Sequence, residues 1–220
     1  MLLGETVRPI ELVVFDCDGV LLDTMPAKIE AFRRWVPDAH AALREPFMAY
    51  IMGSFGRSRT KHIAYFYESL AGVPADDAFL RAEVDRFTAI CEPLCAAAGW
   101  RTGAREFVRA CGMAGALRHV LSGTPQAELE TMLRAAGGAG LFDALHGSPP
   151  AKPEQMERIL AETGTPAHRA VFIGDAEADR EAAAHVGAHF VYFPSQASAP
   201  EGPLRVTITD PRELLPVETG

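Results

Sequence analysis

Short apolar runs alternate with amphipathic stretches over most of the chain, and the spacing changes character once. Residues 10–15 (IELVVF) form a β-rich run that ends in Asp16-Cys17-Asp18-Gly19. That is the pattern of a buried parallel strand with a polar loop at its carboxyl end. Three comparable runs come late: 119–122, which leads into Gly123-Thr124-Pro125, then 170–173 before Gly174-Asp175, and 188–193 before Pro194. A weaker strand is predicted over 143–146. Between these runs lies helical periodicity. Leu129, Met132 and Leu133 predict a helix over 125–136 with Pro125 in its first turn. Met156, Ile159 and Leu160 predict another over 153–163, and an alanine-rich third covers 177–186. Strands alternating with helices predict βαβ crossovers and an α/β fold whose parallel sheet is covered on both faces. Ligands bind such sheets at the carboxyl ends of the strands, where the polar loops fall.

From about residue 24 to 99 the pattern is different. No convincing strand occurs there, and three helical stripes do: Ile29, Phe32, Val36; then Ile63, Phe66, Tyr67, Leu70, ending at Gly72; then Phe79, Val84, Phe87, Ile90 before Pro93. This predicts a helical cap, residues 24–99, inserted into a core made of 1–23 and 100–220, with hinges near Asp23-Thr24 and Gly99-Trp100. No internal repeat or low-complexity tract is visible. The tail after Gln196, rich in Pro, Ser and Ala before 206–209, reads as peripheral.

Composition narrows the function. With 48% hydrophobic and 23% charged residues in 220, the chain can bury a large core. Its net charge of -8, from 29 acidic against 21 basic residues, argues against a nucleic-acid or membrane-surface binder. A small anionic ligand stays compatible, since a few cations or a metal ion can dominate a cleft. No segment reaches the roughly 18–20 apolar residues that cross a bilayer. Residues 1–9 lack the long apolar run of a secretory signal. Cys17, Cys91, Cys95 and Cys111 do not make a disulfide framework at this length. Cys91 and Cys95 can face one another on a helix, but two ligands without a second pair make a poor zinc site. A reducing, cytoplasmic setting is the expectation.

Four segments carry chemistry. Asp16 and Asp18 leave the first strand one residue apart, and Gly19 lets the turn curl so that both enter one cleft. Their like charges raise one another's pKa, a cost that a divalent cation bound by oxygen ligands removes; read alone, they are equally turn and cap residues. Asp175 and Asp179 leave another strand at the start of a helix, where acids also suit the helix dipole. Convergence favours the cation reading, because acidic strand ends of one parallel sheet point into one cleft. Ser122 and Gly123 follow a third strand, where a hydroxyl and free N–H groups cradle an anion or simply cap a helix. Lys152 sits at a fourth strand-helix junction, either solvated or supplying the cation that such a cleft needs.

In this order the four segments resemble the motifs of the haloacid dehalogenase-like superfamily of phosphohydrolases. Asp16-Cys17-Asp18-Gly19-Val20 looks like the first motif, Ser122 the second, Lys152 the third, and Gly174-Asp175 through Asp179 the fourth. The resemblance covers nearly the whole chain and includes the helical cap of the phosphoglycolate phosphatase and β-phosphoglucomutase-like branch. It implies a Rossmann-like, doubly wound core and a Mg²⁺-dependent phosphatase acting on a small phosphorylated metabolite. By the same resemblance, Asp16 is the nucleophile and Asp18 the acid and base. Mg²⁺ is held by the Asp16 and Asp175 carboxylates and the Asp18 backbone carbonyl. Asp179 supports the metal shell or orients Lys152, while Ser122, Gly123 and Lys152 bind the phosphoryl oxygens. Asp18 argues for phosphoryl transfer, because the dehalogenase branch lacks this acid. Cys17 and Ala176 depart from the family pattern, Ala176 standing where a hydroxyl is common near the metal.

Substrate choice is expected in the cap. Arg57, Arg59, Lys61 and His62, after the Gly53-Ser54-Phe55-Gly56 turn, either close over a substrate anion or form a solvated basic face. A phosphate-gripping cap arginine also keeps open a sugar phosphomutase on the same fold, and a catalytically silent binding module is the third reading. The remaining histidines show no metal-ligand spacing and read mostly as surface or helix-end residues. Tyr65-Phe66-Tyr67 reads as cap core rather than a base-stacking platform.

Overall fold

A computed structural model describes residues 9–215 of the chain. The expectation about a secretory signal falls, but for Pro9, outside the described residues. The first strand, β1 (Leu12–Phe15), is followed by α1 (Met25–Trp35), a 3₁₀ turn (Asp38–Leu43), α2 (Arg44–Ser54), α3 (Arg59–Ala64) continuing as a π-helical stretch (Tyr65–Ala71), and α4 (Asp77–Cys95). Then come α5 (Ala104–Met113), β2 (Leu117–Pro125), α6 (Gln126–Ala135), β3 (Ala144–Ser148), α7 (Lys152–Thr163), β4 (Ala170–Gly174), α8 (Glu177–Val186) and β5 (His189–Tyr192).

The strands form one sheet in the order β3-β2-β1-β4-β5, and every neighbouring pair is parallel. The fold is α/β and doubly wound outward from β1, as the alternation of runs predicted. Successive side chains of a strand point to opposite faces, and both faces of β1 are covered. Val13 and Phe15 pack with Phe107 of α5 and Leu129 and Leu133 of α6. Leu12 and Val14 pack with Met156 and Ile159 of α7 and Ala182 of α8. Burial of β1 on both sides is why its sequence is continuously apolar rather than alternating.

Helices α1 to α4 gather a second apolar cluster, joined by Ala176 and Ala197 from beyond β4 and β5. Phe32, Trp35, Phe47, Ile51, Phe66, Phe87 and Cys91 are buried together, and the Trp35 ring meets Phe66 edge-on at 5.1 Å. Each such aromatic contributes about 1.5–3 kcal/mol through burial. The Tyr65–Ala71 stretch stops at Gly72, which takes the left-handed conformation (φ 66°) that ends helices. On α4, the Asp76 side chain accepts the Phe79 N–H at 2.8 Å and fixes the start.

Several expectations need correction. Helix α4 does not stop before Pro93 but runs to Cys95; a proline this near the end forfeits only one backbone bond before the helix closes. Pro125 precedes α6 rather than sitting in its first turn. Helices α2 and α5 are additional to those predicted. The tail is not peripheral: Tyr192 N–H donates to Val206 O at 2.9 Å, Ile208 N–H donates to Tyr192 O at 3.0 Å, and Ile208 is buried against the sheet. His119 is buried as well, its Nδ1 3.1 Å from Nε2 of His146 on the neighbouring strand.

The segments flanking the helices lie side by side. Asp23 N–H donates to Gly99 O at 2.9 Å and Arg101 N–H to Leu21 O at 2.8 Å, with Leu22 and Trp100 bridged antiparallel. Cys91 and Cys95 do face one another on α4, their Sγ atoms 3.7 Å apart. Among the described residues, no helix is long and apolar enough to cross a membrane.

Candidate active site

Asp16 follows β1 directly, its N–H held by Ile173 O at 2.9 Å. Its carboxylate is buried and receives Lys152 Nζ at 2.7 Å from the start of α7; the same Nζ reaches Asp179 Oδ1 at 2.6 Å. Asp179, in the first turn of α8, accepts the N–H groups of Asp175 and Ala176 on its other oxygen at 3.2 and 3.1 Å. This close approach leaves no room for a side chain at residue 174, where a Cβ would meet Asp179 Cγ at 2.5 Å. Carboxylate oxygens of Asp16, Asp175 and Asp179 lie within 4.8 Å of one another. Three chain-distant segments, at Asp16, Lys152 and 174–179, therefore meet at the carboxyl ends of β1 and β4.

The electrostatics explain what such a cluster demands. Burial, opposed by Lys152 and assisted by Asp179 and Asp18, pushes the Asp16 carboxyl up to about 7. Burial together with Asp16 and Asp179 raises Asp175 well above the usual range. For Lys152, burial is outweighed by Asp16 and Asp179, which hold it firmly charged. Two buried carboxylates that protonate this readily are short of positive charge, and hard oxygen ligands fit a divalent cation such as Mg²⁺. The hydroxyl missing at Ala176 is supplied from elsewhere: Ser195 Oγ donates to Asp175 Oδ2.

The Asp18 side chain turns away from this cluster. Lys28 Nζ of α1 lies 2.6 Å from its Oδ2. Thr24 donates to Oδ1 at 2.5 Å, and Thr124 and Ser122 donate to Oδ2 at 3.0 and 3.3 Å. Burial alone would raise its pKa; Lys28, Thr24 and Thr124 outweigh it and hold the carboxylate below its ordinary value. Gly19, at φ 80°, curls the loop, and a Cβ there would collide with the Asp175 carboxylate and lie 2.8 Å from Met25 Cγ. Arg101 donates to Gly19 O and, at 2.8 Å, to Pro194 O, tying this loop to the end of β5. Ser122 lies within β2 rather than at a helix cap, its Oγ accepting the Thr124 N–H at 3.1 Å.

The candidate cap residues separate. A cavity of about 40 Å³ between helices and sheet is lined by Asp16, Asp18, Asp175, Phe32, Arg59 and His62, among others. Arg57 also lines it but is exposed, and it extends into a second space of about 330 Å³ that Lys61, Ser122 and Lys152 border. Lys61 is exposed and touches only this outer space. Arg59 is buried: Nη2 lies 2.8 Å from each carboxylate oxygen of Glu128, and Nη1 donates to Thr88 Oγ1 at 2.6 Å. His62 is buried between Phe32 and Tyr50 rings. Burial and the charges of Arg57 and Lys28 hold its imidazole down at about 3, hence neutral. Over the site the helical segment makes direct contact: a Cβ on Gly123 would meet Gly56 O at 2.8 Å and Arg57 O at 2.9 Å.

Lys28, Thr24, Thr124, Ser195, Arg101 and Glu128 were not expected from sequence. Thr124 and Ser195 had a weak signal, as polar residues just beyond strand ends; the others are revealed only by the fold.

A family model described as haloacid dehalogenase-like hydrolase matches residues 10–187. No curated protein sequence matches the chain. Among solved structures, CbbY from Rhodobacter sphaeroides in complex with phosphate is similar at 23% identity and a TM-score of 0.75, covering 93% of this chain and 96% of that one. A mutant of the same protein was solved with xylulose-(1,5)bisphosphate. A predicted phosphoglycolate phosphatase from Haemophilus somnus 129pt is similar at 17% identity and a TM-score of 0.74, covering 95% and 98%. A hydrolase from Pseudomonas syringae is similar at 18% identity and a TM-score of 0.75, covering 93% and 95%.

Proposed function

From the fact that the chain belongs to the haloacid dehalogenase-like hydrolase family, we propose that it is a Mg²⁺-dependent phosphatase of a small phosphorylated metabolite, working through an aspartyl-phosphate on Asp16. The observation that carries this reading is the buried Asp16 carboxylate held between Lys152 at 2.7 Å and the acidic cluster. Asp16 Oδ attacks phosphorus, the ester P–O bond breaks, and the leaving oxygen takes a proton from Asp18. Asp18, now ionised, takes a proton from a water that attacks the same phosphorus; the bond between phosphorus and the Asp16 oxygen breaks, and phosphate leaves with the Asp16 carboxylate restored and Asp18 protonated again. Proton transfer of this kind contributes about 10²–10⁴ in rate.

Asp18 is ionised in the ligand-free site because Lys28 outweighs burial, which suits the base of the second step. An incoming phosphoryl dianion raises its pKa and supplies the protonated form for the first. Lys152, Ser122 and Gly123 would hold the phosphoryl oxygens, with Asp179 fixing the position of Lys152. Asp16 and Asp175, with the Asp18 backbone carbonyl, would hold Mg²⁺, which supplies charge neutralisation between attacking carboxylate and phosphoryl group.

We read the chain as two bodies, a core of 1–23 and 100–220 and a helical cap of 24–99. Support comes from the separate apolar cluster of the helices and from the paired linkers at 21–23 and 99–101. Cap contact with Gly123 would exclude water during the reaction. Four free cysteines fit a reducing, cytoplasmic setting.

The test is inorganic phosphate release from a panel of aryl, sugar and small organic-acid phosphates, with Mg²⁺ and with excess EDTA. Metal-dependent release that Asp16→Asn abolishes, with the fold intact by circular dichroism, is the expected result. Full activity in Asp16→Asn would sink the mechanism.

A further inference from the structure

We propose that Glu128 sets the substrate class: by neutralising Arg59, it makes the inner pocket select phosphomonoesters whose alcohol part carries no second anionic group. This deepens the phosphatase reading and rests on it.

The pocket beyond the reacting carboxylates is walled by Phe32, Phe55 and Phe87, with Lys28, Arg59, His62 and Thr124 among its polar groups. Each of those polar groups is already committed or uncharged. Lys28 is paired with Asp18 at 2.6 Å and donates to Thr124 at 2.7 Å. Arg59 has both Glu128 oxygens at 2.8 Å. His62 is buried and neutral. Arg57, the remaining cation at this cavity, is exposed at its mouth, where water and salt screen it.

Glu128 comes from the first turn of α6, which packs on β2 and β3, and Arg59 from the first residue of α3. The pair therefore spans the cleft from behind the pocket. Glu128 itself borders a different space, beside Cys95 and Leu22. A second phosphate or a carboxylate entering the pocket would be desolvated next to a guanidinium whose charge is already balanced, and would face Glu128 across it. An unpaired buried anion of this kind is strongly disfavoured. A neutral hydroxyl meets no such penalty, since the guanidinium's N–H groups that do not bond Glu128 or Thr88 remain available as donors. The same logic disfavours a phosphomutase, which needs to grip the second phosphate of a bisphosphate.

The experiment compares kcat/KM for glycerol 3-phosphate and 3-phosphoglycerate, which match in size and differ by a carboxylate, at fixed free Mg²⁺. Aryl phosphate serves as the general control. Wild type is expected to favour glycerol 3-phosphate by about tenfold or more, equivalent to about 1.4 kcal/mol. Glu128→Gln, which keeps the shape and frees the Arg59 charge, is expected to shift that ratio toward 3-phosphoglycerate by a similar factor. A wild-type preference for 3-phosphoglycerate overturns the inference, as does a Glu128→Gln variant that lowers both substrates equally, the signature of a merely structural pair. If the variant does not fold, the wild-type ratio decides alone. Turnover of aryl phosphate with neither three-carbon ester accepted defeats this inference and leaves the phosphatase reading standing. Silence on all three, aryl phosphate included, defeats the phosphatase reading and this inference with it.

Discussion

Replacing Lys152 with Met keeps the aliphatic stem and removes the ammonium, and the site geometry sets the size of the effect. Nζ lies 2.7 Å from Asp16 and 2.6 Å from Asp179, with none of the three side chains more than 4% exposed. Removing one member of a buried ion set leaves the other charges uncompensated, at a cost of about 3–5 kcal/mol. That cost depends on pH. Asp16 already sits at about 7 because burial outweighs Lys152, and without the lysine its carboxyl moves higher. An acid whose folded pKa exceeds its unfolded value of about 3.9 binds more protons folded than unfolded, so stability falls as pH rises between the two. The deficit of Lys152→Met is therefore largest above neutrality and shrinks on acidification. Urea unfolding of the metal-free proteins should show a gap of about 3 kcal/mol or more near pH 8, at least halved near pH 5. Excess Mg²⁺ should recover part of the gap at the higher pH. Turnover should fall by about 10²–10³, the scale of losing one preorganised charge contact. Equal stability of the two proteins near pH 8 would refute the reasoning, because the carboxylates would then not be ionised against Lys152.

His62→Gln tests the neutral buried imidazole. Burial and nearby cations hold its folded pKa at about 3, below the ordinary imidazole value of about 6.5, so the unfolded chain binds the extra proton and wild type loses about 1.4 kcal/mol per pH unit as pH falls through that window. The stability difference between wild type and variant should move against wild type by about 2–3 kcal/mol between pH 7 and 4.5 in urea titrations; a constant difference contradicts the assignment. Gly123→Ala would put a methyl against the backbone oxygens of Gly56 and Arg57 at 2.8 and 2.9 Å. With the loop forced back, kcat/KM should drop by about 10²-fold at a nearly unchanged Tm, and an unaltered kcat/KM would show that this contact plays no part in turnover.

How much of this was legible depends on whether a feature is local. Asp16, Asp175 and Lys152 could be placed because each follows a strand in a parallel sheet, and such a sheet gathers its carboxyl ends. Lys28 could not: it lies on α1 among residues that read as an ordinary polar face, and only the fold brings it to Asp18. Arg59 was visible as a cation, but its partner Glu128 lies 69 residues away, and one sequence holds no record of which distant charges meet. The missed α5 had a readable stripe in Ala104, Phe107, Val108 and Cys111, and the tail had one in the alternation of Val206 and Ile208. The prolines and small residues of 196–205 that precede it carry no such alternation. The edge pairing at Tyr192, rather than local propensity, orders this segment.

The linkers at 21–23 and 99–101 lead to a consequence beyond the reaction. The chain leaves β1 and comes back, ahead of α5 and β2, through two neighbouring hydrogen-bonded segments, so the two ends of the helical stretch meet at one closed gap. If, as we propose, 24–99 is an inserted cap, its size and sequence are thereby uncoupled from sheet register, and it would tolerate lengthening, shortening or exchange while the strand ends keep their positions. On that reading, length changes between 24 and 99 would leave the sheet intact, whereas changes at Thr24 or Lys28, which bond Asp18 across the boundary, would reach the site itself.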